Sequence, residues 1–134
     1  MTLHEIVLLY DNMPGEDVDK IMNTCDSLDV DLKIIKPEEY RVPIGFLSYG
    51  TEDQIREYLV DPESLGAFER PMLVLAGFTN QRIKAFLEEM KRRDIPPIPL
   101  KAVLTEYNAV WDSCSLYEEL KKEDEYMRNN SSSS

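Results

Sequence analysis

Few residues in this chain have the type and spacing that catalysis or metal binding needs. Its 134 residues hold one histidine, His4, and two cysteines, Cys25 and Cys114. His4 has no Cys or His partner at ligand spacing, so no metal site is expected. It precedes the first apolar run, away from the expected cleft, which makes a Ser-His or Cys-His pair hard to build. Cys25 falls on the apolar stripe of a helical pattern, where a thiol behaves as a small hydrophobe. Cys114 lies near Trp111 in a polar turn. The two are far apart in the chain, and a reducing compartment argues against a disulfide between them. Neither G-x-G-x-x-G nor G-K-S/T occurs, so no nucleotide cofactor is expected, and no catalytic residue is assigned.

What remains is a set of polar residues at the expected carboxyl ends of strands. Asp11 and Asn12 follow the first apolar run, where an aspartate could orient a ligand or simply shape the turn. The stretch "GFTNQ" places Thr79 and Asn80 at a helix start, whose free N–H groups suit an anion. Thr79 equally fits an ordinary helix cap. Lys101 stands in the apolar run "PPIPLKAVLTEYNAVW". Strand alternation puts Lys101, Val103 and Thr105 on one face, opposite Leu100, Ala102 and Leu104. A lysine there either keeps an edge strand soluble or faces an anion together with Thr105 and Asn108. The candidate ligand-binding set is Asn12, Thr79, Asn80, Lys101, Thr105 and Asn108. Local spacing does not separate the two readings.

Charge narrows the partners. With 26 acidic against 15 basic residues the net charge is −11, a surface that repels phosphate backbones and anionic lipids. The basic cluster "KRRD" at 91–94 ends a helical pattern and complements its carbonyl end. Neither a nucleic acid nor a membrane is expected as a partner. No apolar run reaches the length of a membrane helix, roughly 18 residues. The opening "MTLHEIVLLYDN" has acids where a signal peptide has bases, so the expected compartment is the cytoplasm.

The elements that must position these residues alternate. "EIVLLY" (5–10), "VDLKIIK" (30–36), "MLVLAGF" (72–78) and "LKAVLT" (100–105) read as strands. Between them, "EDVDKIMNTCDSLD" and "NQRIKAFLEEMKRRD" carry apolar stripes at helical spacing. "TEDQIREYLVD" opens with a capping box, Thr51 to Gln54, and should bury Ile55, Tyr58 and Leu59. "YRVPIGFLSYG" reads as a loop or very short strand. A last helix is expected from the Ser115–Glu118 box. Strands one and three are apolar throughout, whereas two and four carry lysines, which places the latter at the edges.

The expected fold is a small three-layer α/β/α domain over residues 1–128, with a mainly parallel sheet of order 2-1-3-4. Strands one and three should run side by side in the same direction. The alternative is a ferredoxin-like βαββαβ sandwich, which would leave one sheet face open. The halves 1–50 and 71–128 echo each other, with a Leu-Lys pair in each second strand and a trailing Glu-Tyr. Residues 129–134, "NNSSSS", read as a disordered tail.

Gly77-Phe78 after an apolar strand, the block "IPLKAVLT", Asn108, Trp111 and a closing "LYEEL" resemble a bacterial family, the domain of unknown function numbered 3783. "LLYDN…KPEEYRVPIGFL" is similar, more loosely, to the N-terminal part of longer members. Glu106-Tyr107 departs from the small residues that commonly follow the threonine. The resemblance implies a small stand-alone bacterial protein and carries no activity, substrate or site residue. Two functions are therefore expected: a non-catalytic interaction or regulatory module, with a homodimer or protein partner through residues 42–49, or a binder of, or enzyme on, a small anionic metabolite at the strand ends.

Overall fold

The computed structural model describes residues 4–10, 13–65 and 68–132. Its sheet contains β1 (Ile6–Tyr10), β2 (Asp31–Ile35), β3 (Met72–Ala76) and β4 (Leu100–Val103). The strand order is β2-β1-β3-β4, as expected from the charge pattern. Every residue of β3 is buried, and so are the last four of β1. Helices α1 (Gly15–Ser27) and α5 (Asn80–Arg92) cover one face over a core of Val7, Leu9, Ile21, Leu73, Leu75 and Phe86. The other face carries Leu8, Tyr10, Met72, Val74 and Leu100 beneath α2 (Ile44–Tyr49) and α6 (Ser113–Ser132). With both faces covered and β2 beside β1, the fold is α/β/α and not ferredoxin-like.

The direction of β3 departs from expectation. The pairs β1·β2 and β3·β4 are parallel, but β1·β3 is antiparallel, with Leu8 opposite Val74 at its centre. The reason lies in the connections. α1 and α5 have 13 residues each, about 20 Å, enough to return along a strand. The described residues of the link from β2 to β3 form no such element. It contains α2, α3 (Glu52–Arg56) and α4 (Pro62–Leu65); α3 is five residues long, about 7.5 Å. Burial on two faces demands dry neighbours, which either strand direction supplies.

An antiparallel central pair gives the sheet an approximate two-fold axis through Leu8 and Val74. Ile21 then matches Phe86, Cys25 matches Met90, and Val30 matches Ile95, all in one core. The turns after α1 and α5 are the same Schellman motif. Val30 N–H bonds Cys25 O at 2.9 Å and Ile95 N–H bonds Met90 O at 3.1 Å. The repeated Leu-Lys pair does not follow this symmetry. Lys33 lies opposite Leu8 and Lys101 opposite Leu73, so the two lysines occupy different faces of the sheet. The trailing tyrosines also differ: Tyr40 is buried and Tyr107 is exposed.

The segment between β2 and β3 supplies further corrections. Residues 44–49 form α2, where a loop or short strand is expected. Pro43 starts it with φ −54°, a value that suits the position before a helix, and Gly45 N–H bonds Ala109 O at 2.9 Å. Thr51 and Gln54 make the expected capping box, but only Ile55 packs inward; Tyr58 and Leu59 are exposed. α3 ends at Arg56, so its stripe stops before reaching them. α6 begins at Ser113 with Asp112 Oδ1 accepting Ser115 N–H at 2.8 Å, so the cap stands three residues ahead of the expected Ser115. It continues to Ser132, into the expected tail, with an Asp124–Arg128 pair at 3.2 Å one turn before; residues 133–134 lie outside the described residues. None of the described helices is long and apolar enough to cross a membrane.

Candidate functional site

The antiparallel centre divides the expected crevice. β3 and β4 point their carboxyl ends to one rim of the sheet, and β1 and β2 point theirs to the opposite rim. Thr79, Asn80, Thr105 and Asn108 follow β3 and β4. Asp11 and Asn12 lie outside the described residues; Tyr10, just before them, pairs with Met72 at the opposite rim. Of the five described candidates, Thr79, Asn80, Thr105 and Asn108 follow β3 and β4 at one rim, and Lys101 lies near the start of β4.

Thr79, Lys101, Thr105 and Asn108 are each bound within their own neighbourhood. Thr79 Oγ1 accepts Arg82 N–H at 3.2 Å, an ordinary N-cap of α5. Asn80, the first residue of that helix, is exposed. Thr105 N–H donates to Asn108 Oδ1 at 2.8 Å, and Asn108 N–H donates back to Thr105 Oγ1 at 3.2 Å. Asn108 Nδ2 donates to Val103 O at 3.1 Å. Lys101 Nζ donates to Ile98 O at 2.7 Å, toward the start of β4 and away from Asn108. Leu100, Ala102 and Leu104 face the opposite core as alternation requires. The Lys101–Ile98 bond is compatible with an edge-strand lysine.

The rim at the end of β3 gathers residues the sequence kept apart. His4 lies beside it, not at the far end of the sheet, because β1 starts where β3 finishes. Its imidazole meets the Asp31 carboxylate, and both side chains are exposed. Tyr49 Oη donates to His4 O at 2.6 Å. Gly77 has φ +81°, and a Cβ there would sit 2.6 Å from His4 O and from Tyr49 Oη. Arg82 holds Glu5 through two bonds of 2.9 Å and also donates to Leu28 O at 2.6 Å. That carboxylate holds the guanidinium above its usual pKa. Arg82, on α5, thus ties the residue before β1 to the residue that caps α1. Its only sequence signal is its place three residues after the Thr79 cap.

Nucleophiles are muted. Burial pushes the Cys25 thiol up to about 12, with Asp26 and Asp31 adding to it. Burial, then Asp112, raises Cys114 as well. No cluster of three His, Cys, Asp or Glu able to hold a metal occurs among the described residues.

The half that carries Gly77, Lys101 and Asn108 is a βαβ unit closed by a long helix. Residues 71–127 match DUF3783, a domain of unknown function. No curated protein and no solved structure matches the chain. The DUF3783 match spans β3, α5, β4 and most of α6, and it supplies one wall of a groove. Ala109 and Val110 form that wall, facing Pro43, Gly45, Phe46, Tyr49 and Tyr58 across about 640 Å³. The floor is a backbone joint: Ile44 N–H bonds Trp111 O and Gly45 N–H bonds Ala109 O, each at 2.9 Å. Val110 and Tyr107 are each 76% exposed in the adjoining turn. Within the 42–49 segment, Val42, Ile44 and Leu47 are core, and Pro43, Gly45, Phe46 and Tyr49 line the groove.

Proposed function

We propose that this protein is a non-catalytic interaction module that binds a basic, apolar-anchored segment of a partner protein in the groove between α2–α3 and the 105–111 turn. One contrast supports the reading: Thr105 and Asn108 are bound to each other, Thr79 caps α5 and Lys101 bonds Ile98 O, while a groove of aliphatic and aromatic side chains stands open with Val110 on its lip. Apolar area of this kind gains most from removal from water.

The partner's charge follows from the groove's surroundings. Residues 37–69 contain eight acids and two arginines. Arg41 is paired with Asp112 at 3.1 Å and Arg56 with Asp53 at 3.2 Å. An apolar anchor flanked by lysine or arginine matches that field, which speeds encounter and disfavours acidic competitors.

The test is an amide-resolved NMR titration with short acetylated peptides bearing one Leu-Phe anchor, flanked by Lys/Arg in one set and by Glu in the other. The basic set is expected to shift Gly45, Gly50 and Val110, to weaken with salt, and to lose about tenfold in affinity in Val110→Glu. Groove resonances that ignore both sets would overturn the proposal. So would inorganic phosphate shifting Thr79, Lys101 and Asn108 while the peptides do nothing.

A further inference from the structure

The two edges of the sheet are finished differently. On β4, Lys101 N–H is turned onto Pro99 O at 3.1 Å, and Val103 O is taken by the Asn108 side chain at 3.1 Å. With the Lys101 ammonium folded back onto Ile98 O, that edge offers little for another strand to pair with. On β2, Asp31 N–H bonds inward to Glu5 O at 3.2 Å. Alternation then turns the backbone N–H and C=O groups of Leu32 and Ile34 outward. No proline or bulge interrupts this edge. Ile34 is 36% exposed on it and Met22 of α1 is 47% exposed beside it.

The edge sequence complements itself. Read antiparallel about Leu32, Val30-Asp31-Leu32-Lys33-Ile34 sets Asp31 against Lys33, Lys33 against Asp31, and Val30, whose N–H stays on Cys25 O, against Ile34. Moving the axis to Lys33 would oppose two lysines. Moving it to Ile34 would leave Lys33 opposite Ile35. Cross-strand opposite charges stabilise a pair and like charges destabilise it. Asp31 meets the His4 imidazole and Lys33 pairs with Glu39 at 3.5 Å, both at partly or well exposed positions, so pairing across the axis would take over or share these existing partners.

We propose that a second copy of this chain pairs with it along β2, antiparallel, with the two-fold axis at Leu32. Two four-stranded sheets become one continuous sheet, and the Met22–Ile34 crevice between α1 and the edge closes against its counterpart. The interface is isologous, so assembly stops at the dimer. The closed β4 edge keeps the extended sheet from growing further.

The experiment is sedimentation equilibrium on the full chain and three variants, with thermal melts as a folding control. Asp31→Lys and Lys33→Asp each place like charges across the axis and should weaken the dimer at least about tenfold. The double variant Asp31→Lys/Lys33→Asp restores opposite charges and should recover most of that loss. In the unmodified protein, hydrogen exchange at the Leu32 and Ile34 amides should slow with rising concentration while Lys33 does not change. A monomer up to about 1 mM, single variants that dimerise like the parent, or a double variant that fails to recover would overturn it. So would concentration-dependent protection at Gly45 and Val110 instead, which would place self-association in the groove and leave β2 unpaired.

Discussion

Asp29 and Asp94 close the two crossover helices with the same left-handed backbone, at φ 57° and 58°. An L-residue in that region strains against its own Cβ, and glycine does not. Asp94→Gly should therefore stabilise the fold by about 1 kcal/mol, read as a higher urea midpoint with unchanged slope. Asp29→Gly should gain less, because Asp29 also acts electrostatically on Arg82.

Gly77 should tolerate nothing larger. Its positive φ and the backbone carbonyl of His4 both oppose a side chain. Gly77→Ala combines left-handed strain with a clash against main chain, and should cost on the order of 2–4 kcal/mol. Removing the second obstacle in Tyr49→Phe/Gly77→Ala should recover only part of it, since the carbonyl stays.

Asp112 links stability to acidity. Burial disfavours its charge, but the Ser115 N–H and the Arg41 guanidinium outweigh that and hold its pKa below the ordinary aspartate value of 3.8. A depressed folded-state pKa contributes stability that is complete above the unfolded value and lost as pH falls through the folded one. Asp112→Ala should cost about 1 kcal/mol at neutral pH as a lost N-cap. The gap between variant and parent should narrow once pH drops below the ordinary aspartate value.

Neither cysteine should react readily in the native state. Cys25 is buried with its thiol pushed up to about 12, and Cys114 is half-buried with its thiol raised. Alkylation at neutral pH followed by intact mass should show slow modification of Cys114 and none of Cys25 until denaturant is added. Prompt labelling of Cys25 would mean that α1 opens from the sheet.

Those expectations rest on features of unequal visibility in the sequence. Lysines on the second and fourth apolar runs, against unbroken hydrophobicity in the first and third, led directly to the order 2-1-3-4, because edges admit charge and centres do not. Caps at Thr51 and Thr79 were equally readable, being local. The direction of β3 was not: it depends on how residues 36–71 travel, and two-sided burial is indifferent to direction. That one reversal puts His4 beside Gly77 and sets the carboxyl end of β1 at the rim opposite that of β3. α2 is hard to read locally because Pro, Gly and aromatic residues are weak helix formers; its start is held by the distant Ala109 and Trp111 carbonyls. The Leu-Lys echo was a coincidence of letters one position out of step, whereas the turns at Asp29 and Asp94 carry the real correspondence.

The seam between β1 and β3 bears on residues 71–127 taken alone. Cut free, that stretch would expose the flank of β3 on which Leu8 and its neighbours lie, an apolar ribbon with half its main-chain partners missing. A twin of the same fragment, turned end for end, could fill the gap much as β1 does. The intact chain carries its own stand-in for that twin.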